Sequence, residues 1–152
     1  MPRSWPRPEI ARDLPYLTAD NSRPTSKETK TYNCIAWAAG ENYRNWWPDP
    51  LGVGYWPLGV PRELSIGAFV QAYETKGFRL CIGGTLEVGI EKVAIYGKRT
   101  IDGTIPTHAA LQLPSGNWTS KLGRFEDIEH ADIDAVNGPC YGSVVYYMSR
   151  SR

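Results

Sequence analysis

The feature that most constrains the fold of this chain is an alternating segment that begins at position 107. Its side chains follow the two-residue period of a β-strand, with one face formed by Ala109, Leu111 and Leu113 and the other by His108, Ala110 and Gln112. Pro114 to Asn117 is rich in turn-forming residues, and the chain then returns through Trp118 to Lys121. The segment predicts a β-hairpin that holds His108 at the start of its first strand.

The rest of the chain predicts two helical segments followed by further strands. Ser65 begins the clearer helix, whose apolar face consists of Ile66, Phe69, Val70 and Tyr73. Residues 78–82, 91–97 and 143–148 predict strands. Residues 124–136 are acidic and predict a turn and a short helix. This order is typical of an α+β domain with N-terminal helices packed on one face of an antiparallel β-sheet.

The chain length predicts one domain. At 152 residues it can bury a substantial core without disulfides or metals. Residues 1–30 are rich in proline and polar groups, so we expect an extended arm on the surface of a single domain at 31–152.

Charge and cysteine content narrow the classes of partner and the location. With 17 basic and 16 acidic residues, the chain has neither a surface suited to nucleic acid nor a polybasic membrane anchor. Its three cysteines are odd in number and widely spaced, which favours free thiols in a reducing compartment. Residues 1–8 contain prolines where a signal peptide needs an apolar helix. We expect a cytoplasmic protein, although delivery by a specialised secretion system would leave no recognisable signal.

Cys34 is a candidate nucleophile. Thr31 or Asn33 can cap a helix that ends near Gly40, which puts Cys34 in its first turn. The helix dipole at that position lowers a thiol pKa and favours the reactive thiolate. The competing interpretation is that Cys34 is a small residue of the core.

A helix-start cysteine and a strand histidine are the pair needed for nucleophilic acyl transfer. Tyr32-Asn33-Cys34 before a helix, and His108-Ala109-Ala110 opening a hairpin, resemble the cysteine peptidases and amidases of the NlpC and CHAP types. Most of the chain beyond residue 30 also resembles an uncharacterised, mostly bacterial domain family, through the segments Asn33–Ala38, Trp47-Pro48, Tyr55–Pro57, Thr107–Ala110, Trp118–Gly123 and Glu126–His130.

The resemblance implies a papain-like fold with Cys34 as nucleophile and His108 as general base. The residue that orients the histidine in NlpC-type enzymes is usually His, Asn, Gln or an acid, and Ser120 stands at about that place. A serine departs from the pattern, which leaves four alternatives: Asp127, Glu126, Gln112 or a plain dyad.

Several further residues have two interpretations each. Asn33 is a candidate for the oxyanion hole or a helix cap, and Tyr32 for a contact with the substrate carbonyl or a packing residue. Trp47 and Trp56 belong to two aromatic-proline clusters. These clusters are candidates for a platform that binds a sugar or a peptide, or for aromatic packing within a long loop. His130 follows an acidic run and is expected in a loop or a cap.

The sequence and this resemblance thus predict a papain-like hydrolase of amide bonds that acts on a peptide, a protein or peptidoglycan, as a peptidase, a peptidoglycan amidase or a deamidase of a protein side chain. No cysteine or histidine has the short spacing of a zinc site, so we expect neither a metal nor a cofactor. One alternative is a peptide- or glycan-binding module that uses Trp47 and Trp56. Another is an interaction protein in which Cys34 is part of the core.

Overall fold

The computed structural model describes residues 4–152. Its helices are short and consist of α1 (Pro8–Asp13), α2 (Cys34–Ala38), α3 (Ile66–Glu74) and a 3-10 helix (Ile133–Val136). Its strands are β1 (Ser22–Pro24), β2 (Arg79–Cys81), β3 (Ile90–Thr100), β4 (Gly103–Gln112), β5 (Trp118–Lys121), β6 (Asp127–His130) and β7 (Ser143–Ser151). Among these described residues, no helix combines the length and the apolar character needed to cross a membrane.

The seven strands form one antiparallel sheet in the order β1-β6-β5-β4-β3-β7-β2. The predicted hairpin is its centre, where β4 and β5 are joined by a turn closed by the Leu113 N–H on the Asn117 carbonyl at 2.7 Å. The predicted α+β class and antiparallel sheet are therefore confirmed. Strand β6 lies in the acidic segment, for which the sequence predicted only a turn and a short helix.

Both faces of the sheet are covered by apolar residues. Val93 and Ile95 of β3 share a core with α2, α3 and the loop between them. Ala94 and Tyr96 of the same strand share a second core with α1 and the 3-10 helix. The expectation that the helices lie on one face is thus wrong for α1, because β3 is apolar on both of its sides.

The N-terminal segment, which the sequence analysis described as an extended arm, contributes to the second core. It contains α1 and the edge strand β1, which pairs with β6, and it buries Ile10, Leu14 and Leu17. Pro8 stands in the first turn of α1, where the missing N–H of proline costs nothing. One of the prolines that suggested an extended arm thus begins a helix. The part of that expectation that concerns residues 1–3 lies outside the described residues.

Glu41 anchors the aromatic loop between α2 and α3. This buried carboxylate accepts hydrogen bonds from Arg44 Nε and Trp46 Nε1, both at 2.7 Å, and lies 3.1 Å from Lys76 Nζ. The hydrogen bonds from Arg44 and then Trp46 outweigh burial and lower the pKa of Glu41 to about 2. The loop thus has a charged anchor as well as aromatic packing.

Glu41→Gln is expected to destabilise the protein by about 3 kcal/mol at pH 7, the energy that corresponds to the lowered pKa. Because the folded-state pKa lies below the unfolded value, this contribution is present above the unfolded pKa and is lost as pH falls towards 2. Urea unfolding at pH 7 and at pH 3 measures it. Glu74→Gln, at an exposed position of α3, is the matched control. An equal effect of Glu41→Gln at both pH values would contradict the role of the carboxylate charge.

Candidate active site

Cys34 is the first residue of α2. The Asn33 side chain caps this helix, because its Oδ1 accepts the Ala36 N–H at 3.0 Å. The cysteine is only 8% exposed and contributes to the core beneath α2. The thiol therefore lies in the first turn of a helix and is buried.

Burial raises the pKa of the Cys34 thiol to about 11, because a buried thiolate loses its hydration. The backbone N–H groups of Ala109, Cys34 and Ile35 favour the thiolate, as does the Lys121 ammonium, but burial outweighs them. The helix start therefore acts in the expected direction, but the expected net lowering of this pKa is wrong, because burial outweighs it. The resting thiol is protonated at neutral pH.

The two residues before Cys34 are engaged within the protein. Asn33 donates through Nδ2 to the Trp46 carbonyl at 2.7 Å and accepts the Trp46 N–H at 3.1 Å. The Tyr32 hydroxyl contacts both carboxylate oxygens of Asp127, at 2.7 and 2.8 Å. Burial and this contact raise the pKa of Tyr32 to about 12. Capping and internal hydrogen bonding are thus the observed roles of these two side chains.

His108 lies in the middle of β4 and not at the start of its strand as expected, because the strand begins at Gly103, and its ring is fully buried. Tyr141 stacks on the ring, with the centroids 4.0 Å apart and the planes at 12°. His108 Nε2 lies 3.0 Å from the Ser120 Oγ on β5. Its Nδ1 has no hydrogen-bond partner among residues 4–152. One ring nitrogen therefore has a hydrogen-bond partner, whereas the other is buried without one.

A chain of hydrogen bonds continues from Ser120. Its Oγ lies 2.8 Å from Nε2 of His130, whose Nδ1 lies 2.9 Å from the Asp132 carbonyl oxygen. A carbonyl oxygen can only accept, so a neutral His130 carries its proton on Nδ1 and accepts the Ser120 hydroxyl proton at Nε2. Ser120 Oγ must then accept from His108 Nε2. This leaves a free lone pair on His108 Nδ1.

Both imidazoles are held in the neutral form that this chain requires. Burial lowers the pKa of His108 well below its usual value, and the neighbouring His130 lowers it further. Burial also lowers the pKa of His130, against an opposing contribution from Asp132. His108 is therefore available as a base in the resting protein.

The side chains of Cys34 and His108 belong to different cores. Cys34 shares its core with Ala109, whereas His108 contacts Tyr96 and Tyr141 of the second core. The effect of the Ala109 N–H on the thiol means that Cys34 reaches the backbone immediately after His108. Tyr141 stacks on His108, and burial and then a charge on Cys34 raise the pKa of Tyr141 well above its usual value.

The sheet is interrupted at this point. Strand β4 pairs with β5 at Leu111–Thr119 and Gln112–Trp118, and within the described chain the pairing does not continue to Ala109 and Lys121. Ser120 nevertheless contacts His108 across the two strands. The ladder between β4 and β5 therefore ends at Leu111 and Thr119, close in the chain to His108 and Ala109.

The other candidates for orienting His108 have different partners. Asp127 accepts from Tyr32, Glu126 forms an ion pair with Arg7 at 2.6 Å, and Gln112 donates to the Gly84 carbonyl at 2.7 Å. Of the four side chains considered, Ser120 is the one that contacts Nε2.

His130 is the site residue that the sequence reasoning missed. It is buried on β6 rather than in a loop or a cap. A signal was present, because Ile128 and His130 alternate with Asp127 and Glu129. With one apolar residue in four, that pattern is too short to distinguish a strand from a turn.

The tryptophans of the aromatic loop are mainly structural. Trp46 and Trp56 are buried, and Trp56 Nε1 donates to the Pro61 carbonyl at 3.0 Å. Trp47 is 41% exposed and its ring packs edge-on against Phe69. A binding platform would therefore have to rely on Trp47 and exposed neighbours such as Tyr43.

No group of three His, Cys, Asp or Glu side chains within residues 4–152 is arranged to hold a metal ion. The fold and the site define an α+β protein that brings a buried cysteine and two buried histidines to the centre of an antiparallel sheet. Residues 23–149 match the family model described as Domain of unknown function (DUF7689), and the chain belongs to that family. No curated protein and no solved structure matches the chain significantly.

The hydrogen-bond chain predicts opposite tautomers for the two histidines. His108 should carry its proton on Nε2 and His130 on Nδ1, and both should be neutral at pH 7 because their pKa values are lowered. Long-range proton–nitrogen NMR of the imidazole rings distinguishes these forms, and the chain has only two histidines to assign. In the Ser120→Ala variant, His130 should keep its proton on Nδ1, whereas His108 should become a mixture of both tautomers. A proton on His108 Nδ1 in the unmodified protein would contradict the assignment.

Proposed function

We propose that this protein is a cysteine hydrolase of amide bonds, with Cys34 as nucleophile and His108 as general base. The observation that carries the proposal is that His108 Nδ1 has no hydrogen-bond partner and a free lone pair. The contact between Ser120 and Nε2 fixes the orientation of the ring. The backbone N–H of the next residue, Ala109, acts on the Cys34 thiol. The cysteine on a helix, the histidine on a strand and its polar partner on the next strand support a papain-like fold of the NlpC and CHAP types.

In the proposed reaction His108 Nδ1 takes the Cys34 thiol proton as the sulfur bonds to the amide carbonyl carbon. The proton then passes from Nδ1 to the leaving nitrogen as the carbon–nitrogen bond breaks, which leaves a thioester. A water molecule attacks the thioester, Nδ1 accepts its proton, and the sulfur departs and recovers that proton. Ser120 acts as the positioning residue throughout, because it holds Nε2.

The Cys34 side chain must reach Nδ1 through the interval where β4 and β5 do not pair. Because the thiol and the imidazole are neutral at rest, proton transfer accompanies the attack rather than preceding it. A bound substrate that excludes water and orients its carbonyl is needed to promote that transfer. Peptides, proteins and peptidoglycan all contain suitable amides.

The alternative of a binding module has less support, since Trp56 is buried and Trp47 is the one partly exposed tryptophan of the two aromatic-proline clusters. It predicts that Trp47→Ala abolishes binding while Cys34→Ala has no effect. The hydrolase proposal predicts the reverse.

Hydrolysis is tested with purified peptidoglycan and with an unfolded protein as substrates, using mass spectrometry to detect new amine termini and a thioester on Cys34. Cys34→Ala and His108→Ala should each reduce the rate by at least about 1,000-fold, because the residues of a nucleophile–base pair act as a unit. Ser120→Ala should reduce it by roughly 10- to 100-fold, as removal of an orienting partner does. Cys81→Ser is the control for thiol chemistry elsewhere. Equal rates in the Cys34→Ala variant would contradict the proposal.

The pH dependence of thiol alkylation provides a second test. With a pKa of about 11, the thiolate fraction of Cys34 increases with pH throughout the accessible range. In a Cys81→Ser/Cys140→Ser chain, chloroacetamide labelling should therefore accelerate about tenfold per pH unit from pH 7 to 9. Intact-mass spectrometry measures the rate. A plateau below pH 7 would instead indicate a preformed thiolate–imidazolium pair.

A further inference from the structure

A small apolar cavity lies against the ring that covers His108. It has a volume of about 150 Å³, and its apolar walls are formed by Ile10, Leu14, Leu122, Phe125 and Tyr141. Tyr141 stacks on His108 with its centroid at 4.0 Å, so a single aromatic ring separates the cavity from the imidazole. Leu122 follows Ser120 by two positions on the chain. The cavity therefore lies against the aromatic cover of His108, the proposed base.

We propose that this cavity binds an apolar side chain of about leucine size, next to the amide bond that Cys34 attacks. This inference rests on the proposed hydrolase function and adds a substrate class to it. A volume of about 150 Å³ accommodates a benzene-sized guest, which is comparable with a leucine or phenylalanine side chain. Burial of a leucine side chain there removes apolar surface from water and so favours binding.

The rim of the cavity suits a peptide rather than a free hydrocarbon. Asp13 and Arg124 lie there with opposite charges. A carboxylate accepts from a peptide N–H, and a guanidinium donates to a peptide carbonyl. An acidic or basic side chain would lose hydration on entering the apolar interior.

Two of the cavity walls come from a part of the chain outside the family match. Ile10 and Leu14 belong to or directly follow α1, whereas the match to the family begins at residue 23. The family segment supplies Leu122, Phe125 and Tyr141. The size of the cavity, and thus the substrate preference, is therefore set in part by the N-terminal segment.

The test uses two-residue acylated vinyl sulfones that carry Leu, Ala, Glu or Lys at either position, on a Cys81→Ser chain that keeps Cys140, which also lines the cavity. The rate of Cys34 modification is followed by peptide mapping, which separates it from Cys140, and is divided by the chloroacetamide rate of Cys34 in the same chain. At one position Leu should exceed Ala, Glu and Lys by at least about tenfold, as expected for a pocket that distinguishes several methylene groups. Equal rates for all four would overturn the cavity proposal.

Two variants of α1 and a matched control sharpen this result. Leu14→Phe fills the cavity and should abolish the leucine preference. Leu14→Ala enlarges it and should shift the preference towards Phe, which keeps the proposal testable if the first variant does not fold. Leu80→Phe, at an exposed position of β2, should retain the preference for leucine. A preference unchanged in both Leu14 variants would overturn the proposal.

The two proposals can fail separately. If chloroacetamide labels Cys34 and the His108→Ala variant loses hydrolysis, but leucine has no advantage, only the cavity assignment is wrong. If the chain hydrolyses no amide and Cys34 reacts with none of the vinyl sulfones, the proposed function fails and the cavity assignment fails with it.

Discussion

A neutral imidazole buried inside a sheet needs a partner for each ring nitrogen, and the centre of this protein is organised by that requirement. The Asp132 carbonyl, His130, Ser120 and His108 form one continuous chain of hydrogen bonds across β6, β5 and β4. An unpaired buried polar atom costs about 1–3 kcal/mol, so each link supports the next. This series of hydrogen bonds ends at His108 Nδ1, which is buried without a partner. That atom has the chemical character of a base.

The buried ammonium group of Lys121 also depends on hydrogen-bond partners. Lys121 is fully buried, and its ammonium donates to the carbonyl oxygens of Thr29, Gly123 and Phe125 at 2.7, 2.5 and 2.5 Å. A buried charge without such partners costs several kcal/mol. Burial lowers the pKa of Lys121, while the carboxylate of Asp127 opposes this shift. Lys121 joins the segment before Cys34 to the turn after β5, and it brings positive charge near the thiol.

Local signals predicted the regular elements well. Ser65 caps α3 as expected, with its Oγ accepting the Ala68 N–H at 3.1 Å, and the hairpin lies where alternation and turn residues indicated it. The signals failed where an element was short or covered. Strand β6 has four residues, and the N-terminal segment contributes to a core through a six-residue helix. In both cases contacts distant in the sequence stabilise what local propensity does not specify.

The candidate site divides in the same way. Residue type and local spacing alone determined that Cys34 begins a helix and that His108 lies on a strand, because caps and periodicity act over a few residues. The tertiary structure decided which polar side chain holds His108, which tautomer that contact imposes, and that burial raises rather than lowers the pKa of the thiol. Those properties depend on groups up to about a hundred residues apart, on strand register and on exclusion of water, and none of these is written in a local stretch of sequence.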